Sequence, residues 1–496
     1  MISTVQLREE WYKVPKVPDT RTKGSALLGL SRLKWGILVP RTSTNAPTLL
    51  RRFGFFSAAA LVVSNMIGTG IFSSTGFMAG DLGSARAILA AWTVGAAFAL
   101  CGALAYSELG VNFPRSGGEY VYLSAAYGPT WGFMTGWVSF FAGFSAPIAA
   151  AALAFADYLG HFNPAFKQSS ALVIGSGWLA LRLGYGQFLA SALIALFTIL
   201  NCFGVARVAK VQVILSGVKL LVIAAFIVLG FTLGSGSWSH FSEPAVRTSS
   251  NSLPVQFVVS LLWVMVGYSG WNAATYVAEE IENPERTLPR AIAVGAGIVG
   301  VLYLGLNLVF IYSTPLEKMK GVLAIGSLSA TNLFGPGIAN VFSLLMAAAI
   351  MSTVNAMVTI GPRVYYAMAK NRAFFKSAAA IHPKWHTPVA AILAQGVCAI
   401  LMTLTPFPDL IIYIGMSLTF FTVLAVASVF VFRRSPERQD WRRLRAVSFA
   451  WPLVPLAYVL VGTTMMVYGF IAQPAASFSA FATVAVGAIV YRLAVR

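Results

Sequence analysis

The chain has 496 residues, 57% hydrophobic and only 10% charged, with a mean hydropathy of +0.75. A water-soluble domain carries about 25% charged residues, so a soluble enzyme or binding module is excluded: too few groups remain to hydrate its surface. The net charge of +19 would suit nucleic acid if it were spread over one face, but its placement along the chain assigns it to membrane topology.

Residues 1–52 form a basic tail. Its one apolar stretch is interrupted by Arg32 and Lys34, too broken to span and without a signal-peptide layout. From Phe53 the apolar residues fall in twelve blocks of about 20, the length a helix needs to cross about 30 Å of hydrocarbon. The blocks are 53–80, 86–112, 126–157, 187–204, 211–234, 253–280, 290–313, 336–362, 388–405, 408–432, 449–471 and 473–491. The expected fold class is therefore an all-α polytopic membrane protein with twelve transmembrane helices, numbered here as spans 1–12. With both termini cytoplasmic, 28 of the 35 Lys and Arg fall on the cytoplasmic side. Only Arg86, Lys167, Arg182, Arg247, Lys318 and Lys320 fall on the other, and Lys219 lies within a span. This is the positive-inside pattern of an inner (plasma) membrane protein, with anionic lipid a secondary partner and nucleic acid not expected.

The loops are too short for a catalytic domain. His161, His240, His382 and His386 all fall in loops, so no metal cage or histidine relay is expected at membrane depth, and no cofactor. Cys101, Cys202 and Cys398 lie within or at the edge of spans, which argues against a structural disulfide.

Two spans are interrupted alike. Span 1 contains Met66-Ile67-Gly68-Thr69-Gly70, and span 6 contains Val266-Gly267-Tyr268-Ser269-Gly270-Trp271. Glycine costs about 1 kcal/mol per residue in a helix relative to alanine, so paired glycines make local unwinding cheap. At membrane depth unwinding persists only where the freed backbone meets ligand, water or protein. One such pair suits helix packing. Two pairs, opening spans 1 and 6, predict inverted repeats at 53–234 and 253–432, with residues 449–496 added.

A second signal is Lys219, inside the apolar run Leu215–Val222 of span 5. It sits about 12 Å along the helix from the span's start, a long reach for snorkelling. A charged residue there marks function by default.

The stretches 65–72, 106–110, 113–120, 270–272 and 279–284, with Leu288-Pro289-Arg290, resemble the amino acid–polyamine–organocation superfamily. The likeness is particularly to its bacterial amino acid permeases and L-type amino acid transporters. The resemblance implies the leucine-transporter fold and alternating access. It places a substrate carboxylate on the backbone N–H groups of Gly68, Thr69 and Gly70. The ammonium would meet carbonyls at the ends of the first half-helices, Met66 in span 1 and Val266 and Ser269 in span 6, with Ile67 and Gly267 beside them. L-type relatives carry a bulky aromatic before the span 6 break where this chain has Val266, leaving Tyr268 and Trp271 as candidate gates or as plain packing. The resemblance also puts Lys219 where sodium-coupled relatives bind a cation, which implies a sodium-independent carrier, either proton-coupled or an exchanger with a permanently charged strut. Asn355 of span 8 is a candidate lining residue, or an interhelical hydrogen bond. Glu108, Glu279 and Glu280 are candidates for inner ion pairs with Arg115 and Arg290.

No Asp or Glu falls near the middle of a span, which favours neutral amino acid substrates over cationic amino acids or amines. The other readings are a carrier of cationic substrates and a sensor that binds without transport. Heavy-chain-linked relatives use a cysteine in the loop between spans 3 and 4. Residues 158–186 have none, so no disulfide-linked heavy chain is expected.

Overall fold

The computed structural model describes residues 54–115, 117–175, 180–203, 205–370, 374–435 and 440–495; the tail 1–52 lies outside them. The chain folds as an all-α polytopic membrane protein, with a helix at the position of each expected span. Ten helical runs are long and apolar enough to cross a membrane, and Gly217–Thr232 and Val389–Met402, at the positions of spans 5 and 9, are shorter apolar helices. Large apolar side chains such as Phe188, Leu221 and Val301 stand mostly exposed on the outside. A helix surrounded by hydrocarbon rather than water carries apolar groups on its outer face.

Helix ends differ from hydropathy most clearly at span 7. Span 7 begins at Pro284 rather than near 290, since its first turns, Pro284-Glu285-Arg286-Thr287, are polar but helical, with proline in the first turn. Hydropathy finds the segment that meets hydrocarbon, not the helix that continues beyond it. The loop between spans 3 and 4 also holds a short antiparallel hairpin, Leu172–Ile174 against Leu181–Leu183.

The same elbow occurs twice. Gly128 (φ 100°, ψ 172°) precedes Pro129 and joins the short helix Glu119–Tyr127 to span 3. Gly335 (φ 77°, ψ 175°) precedes Pro336 and joins residues 325–334 to span 8. A residue before proline is excluded from the helical region, and positive φ favours glycine. Neither glycine is crowded, so the constraint at both elbows is the dihedral angle itself.

The broken spans are cradled by close crossings. A Cβ on Gly95 of span 2 would lie 2.2 Å from Val264 of span 6, and one on Gly295 of span 7 would lie 2.7 Å from Val62 of span 1. Small residues let membrane helices approach to this distance, where packing replaces the hydrophobic effect as the driving force.

On the arginine-rich side, span 2 is tied to span 10. Arg433 donates to Glu108 through Nε (2.7 Å to Oε1) and Nη2 (2.5 Å to Oε2), and Glu108 also accepts from Trp441 Nε1 (2.8 Å) and Leu444 N (3.1 Å). Both charged side chains are buried. This corrects the expected pairing of Glu108 with Arg115, which lies exposed beyond Pro114; the end of span 10 brings Arg433 to the carboxylate instead.

Removing one partner of a buried ion pair leaves a charge uncompensated, at a cost of about 3–5 kcal/mol. Arg433→Ala should therefore lower the melting temperature of the detergent-purified protein sharply. Arg442→Ala, which removes an exposed pair with Glu285, should leave it unchanged.

Candidate functional site

Span 1 is interrupted by two residues. The first half-helix, Phe55–Met66, ends where Ile67 (φ −73°, ψ 91°) and Gly68 (φ −120°, ψ −157°) become extended, and the second half-helix begins at Thr69. An interruption leaves carbonyls without partners at the end of the first half and N–H groups without partners at the start of the second. The carbonyl end is met from span 5: the Lys219 ammonium donates to Ser64 O (3.0 Å) and Ile67 O (2.5 Å) and is buried. It is met from span 7 by the Tyr303 hydroxyl, 2.7 Å from Met66 O. The amide end, Gly68 to Ile71, has no intrahelical acceptors and carries the positive end of the helix dipole, an arrangement suited to an anion.

Span 6 is interrupted further along than the glycine pattern centres it. Its first half, Leu253–Tyr268, runs through Gly267, residues 269–272 are unwound with Gly270 at φ 96°, and a 3₁₀ helix, Ala273–Glu280, follows. Val266 O accepts from Ser269 N (3.3 Å) and Ser269 Oγ (2.8 Å), and Gly267 O lies 3.0 Å from the Tyr303 hydroxyl. The carbonyls of Met66 and Val266 thus already have protein donors. Tyr303 has one proton for two carbonyls, Met66 and Gly267, so one of them keeps acceptor capacity for a further donor.

The two interruptions touch backbone to backbone. A Cβ on Gly70 would lie 2.4 Å from Gly267 Cα, and one on Gly270 would lie 2.8 Å from Asn65 O. Ser64, Asn65, Gly68, Val266, Ser269, Gly270 and Asn272 are only partly buried, beside buried neighbours such as Met66, Ile67, Gly70, Gly267 and Tyr268.

The surroundings of the break are unequal. Twelve of the fourteen residues of the second half of span 1 are buried, against five of the twelve in the first half. The second half is clasped by neighbouring loops: Gly321 N donates to Gly76 O (3.0 Å) and Thr248 N to Gly80 O (2.9 Å). Tyr158 of span 3 joins the clasp, donating to Phe72 O (3.0 Å) and accepting from Gly326 N (3.1 Å).

The other expected residues fall in different places. Asn355 Oδ1 accepts from Asn201 Nδ2 (3.3 Å), and Thr359 Oγ1 donates to Asn201 Oδ1 (2.8 Å), a polar link between spans 4 and 8. The span 8 residue at the break is Thr353, whose Cγ2 lies 3.7 Å from where a Gly68 Cβ would stand and whose buried hydroxyl has no hydrogen-bond partner. Tyr268 is buried, its hydroxyl on Trp92 O (3.2 Å) and its ring against Trp92 and Tyr303. Trp271 is buried edge-on to Tyr106, with ring centroids 4.7 Å apart. Both candidate gates are therefore packed aromatics in this conformation.

Sequence reasoning missed two groups. Tyr303 sits in an apolar run, where tyrosine gives no signal. Glu119 follows the glycine pair at 117–118 and is buried beside the span 6 break. It accepts from Tyr276 Oη (2.5 Å), Tyr106 Oη (3.0 Å) and Asn272 Nδ2. It occupies a short helix between spans, where a hydropathy scan does not look for a buried carboxylate.

Gly70→Ala should cost about 1–3 kcal/mol or more from overpacking against immovable backbone, seen as a fall in folded yield and melting temperature. Gly68→Ala, with its nearest neighbour at 3.7 Å and an extended backbone, should retain the folded yield.

Residues 53–491 match the family model described as amino acid permease. Among individual relatives, the serine/threonine exchanger SteT of Bacillus subtilis is 28% identical over 434 residues, covering 84% of this chain and 92% of that protein. The human large neutral amino acids transporter small subunit 2 is 28% identical over 452 residues, covering 90% and 81%. The mouse Asc-type amino acid transporter 1 is 27% identical over 438 residues, covering 86% and 78%. With the family model spanning nearly the whole membrane region, the chain belongs to the amino acid permease family.

Proposed function

We propose that this chain is a sodium-independent secondary transporter of neutral amino acids that works by alternating access. The observation that carries the reading is the Lys219 ammonium seated on Ser64 O and Ile67 O. A cation fixed to the protein already fills the carbonyl cluster at the break, so a sodium ion there would meet a like charge at contact distance. The substrate carboxylate binds the N–H groups of Gly68, Thr69 and Gly70. Its ammonium uses the acceptor capacity left on Met66 or Gly267, with Ser269 and Val266 beside them. Recognition of both charged ends by backbone leaves the side-chain space to set size.

Neutral substrates are supported by the surroundings of the nearby carboxylate. Glu119 already accepts from two hydroxyls and an amide, three of its about four acceptor sites, which leaves little of it open to a cationic side chain. The names of the relatives, a serine/threonine exchanger and a large neutral amino acids transporter, point the same way, and the first supports exchange.

The paired interruptions and the repeated glycine–proline elbow support two inverted repeats, 53–234 and 253–432. The clasped second half and open first half of span 1 suit a state closed toward one side of the membrane. The positive-inside pattern makes that the outer side, with both termini cytoplasmic and the protein in the inner membrane.

The test is uptake by purified protein in lipid vesicles, using a panel of labelled amino acids with the sodium gradient, pH gradient and counter-substrate varied separately. Neutral amino acids should accumulate equally with sodium or choline outside. Accumulation of cationic amino acids alone would overturn the substrate class, and binding without accumulation would make the protein a sensor. Lys219→Ala leaves buried carbonyls unpaired, each costing about 1–3 kcal/mol, so uptake should fall at least about tenfold while the protein still inserts. Undiminished uptake with unchanged pH dependence would refute the role of the lysine.

A further inference from the structure

We propose that an arginine-lined pocket where span 10 meets span 11 holds the phosphodiester headgroup of an anionic phospholipid. The pocket has a volume of about 400 Å³ and is lined by Arg433, Arg434 and Arg443 together with Phe430, Trp451 and Leu456. It lies at the ends of two spans, Phe407–Arg434 and Leu453–Ala472, at the level where a membrane changes from hydrocarbon to headgroup.

The three arginines have different tasks. Arg433 is committed to Glu108 and lies over the Trp451 ring, 4.0 Å from its centroid, so it fixes one wall while its charge is already balanced. Among the described residues neither Arg434 nor Arg443 pairs with a carboxylate. Two guanidinium forks with uncommitted charge suit the non-bridging oxygens of one phosphate, and basic residues at a membrane surface attract anionic lipid.

The occupant is a lipid rather than a soluble phosphate because the surroundings are apolar and outward-facing. Phe449 is 95% exposed and Leu453 65% exposed, surfaces suited to acyl chains, and Phe430 and Leu456 line the pocket itself. Trp451 is the interfacial aromatic expected at this depth.

The experiment uses the full-length protein purified in detergent, with native mass spectrometry to count retained lipid and thermal melting to read stabilisation. The probes are phosphatidylglycerol, phosphatidylcholine of the same acyl chains, and inorganic phosphate. Phosphatidylglycerol should be retained and should raise the melting temperature, and phosphatidylcholine should do neither. R434Q/R443Q should weaken retention about thirtyfold, about fivefold for each cation removed. Lys318→Gln, on the opposite side of the membrane, should not weaken it. If the double variant does not fold, R443Q alone, in a loop outside the spans, should show the fivefold loss. Equal retention of phosphatidylglycerol by wild type and folded variants would overturn the proposal. So would equal retention of the two lipids by the wild type. Displacement by inorganic phosphate at equal concentration would also overturn it, making the site one for a soluble anion.

Discussion

A peptide group released from a helix inside a membrane has no water to turn to, and each one left unmet costs several kcal/mol. The architecture around the two interrupted spans answers that constraint. Span 5 supplies an ammonium to two carbonyls of span 1, and span 7 supplies a hydroxyl shared between span 1 and span 6. Span 6 partly answers for itself, folding Ser269 back onto Val266. At the amide end of the span 1 break the Gly68 N–H meets the Tyr303 oxygen, and Thr353 brings beside it a buried hydroxyl without a hydrogen-bond partner. The carbonyl side is largely closed by protein, and the amide side is where a ligand has most to offer.

The same division explains the placing of charge. Among the described residues Lys219 meets backbone carbonyls and Glu119 meets neutral donors. Among the described residues the one buried ion pair of opposite charges, Glu108 with Arg433, lies at the arginine-rich ends of spans 2 and 10, where it joins helix ends. Each buried charge close to the breaks is thus held by several hydrogen bonds, and one of each sign lies there.

Much of the fold was legible in the sequence because hydrocarbon imposes a length and a composition that ten helical runs among the described residues obey, with two shorter apolar helices at the positions of spans 5 and 9. Lys219 was legible because one charge in an apolar run has few innocent explanations. The interruptions were legible from paired glycines, but what each glycine does was not. The absence of a side chain shows that something comes close without showing what, and at Gly70 it is the backbone of Gly267. Asn355 and Thr353 sit two residues apart on one helix, and no single-sequence signal says which faces the break. The partner of Glu108 lies 325 residues away along the chain, a pairing that only the packing of spans 2 and 10 decides. Tyr303 and Glu119 were hidden for opposite reasons, one resembling packing and the other resembling a loop.

The glycine contacts bear on how such a molecule can move. Two main chains that touch at two points, Gly70 on Gly267 and Gly270 on Asn65, have no rotamers between them to rearrange, and packed surfaces shift between discrete arrangements rather than deforming smoothly. Spans 1 and 6 are in that sense one lever with a common pivot.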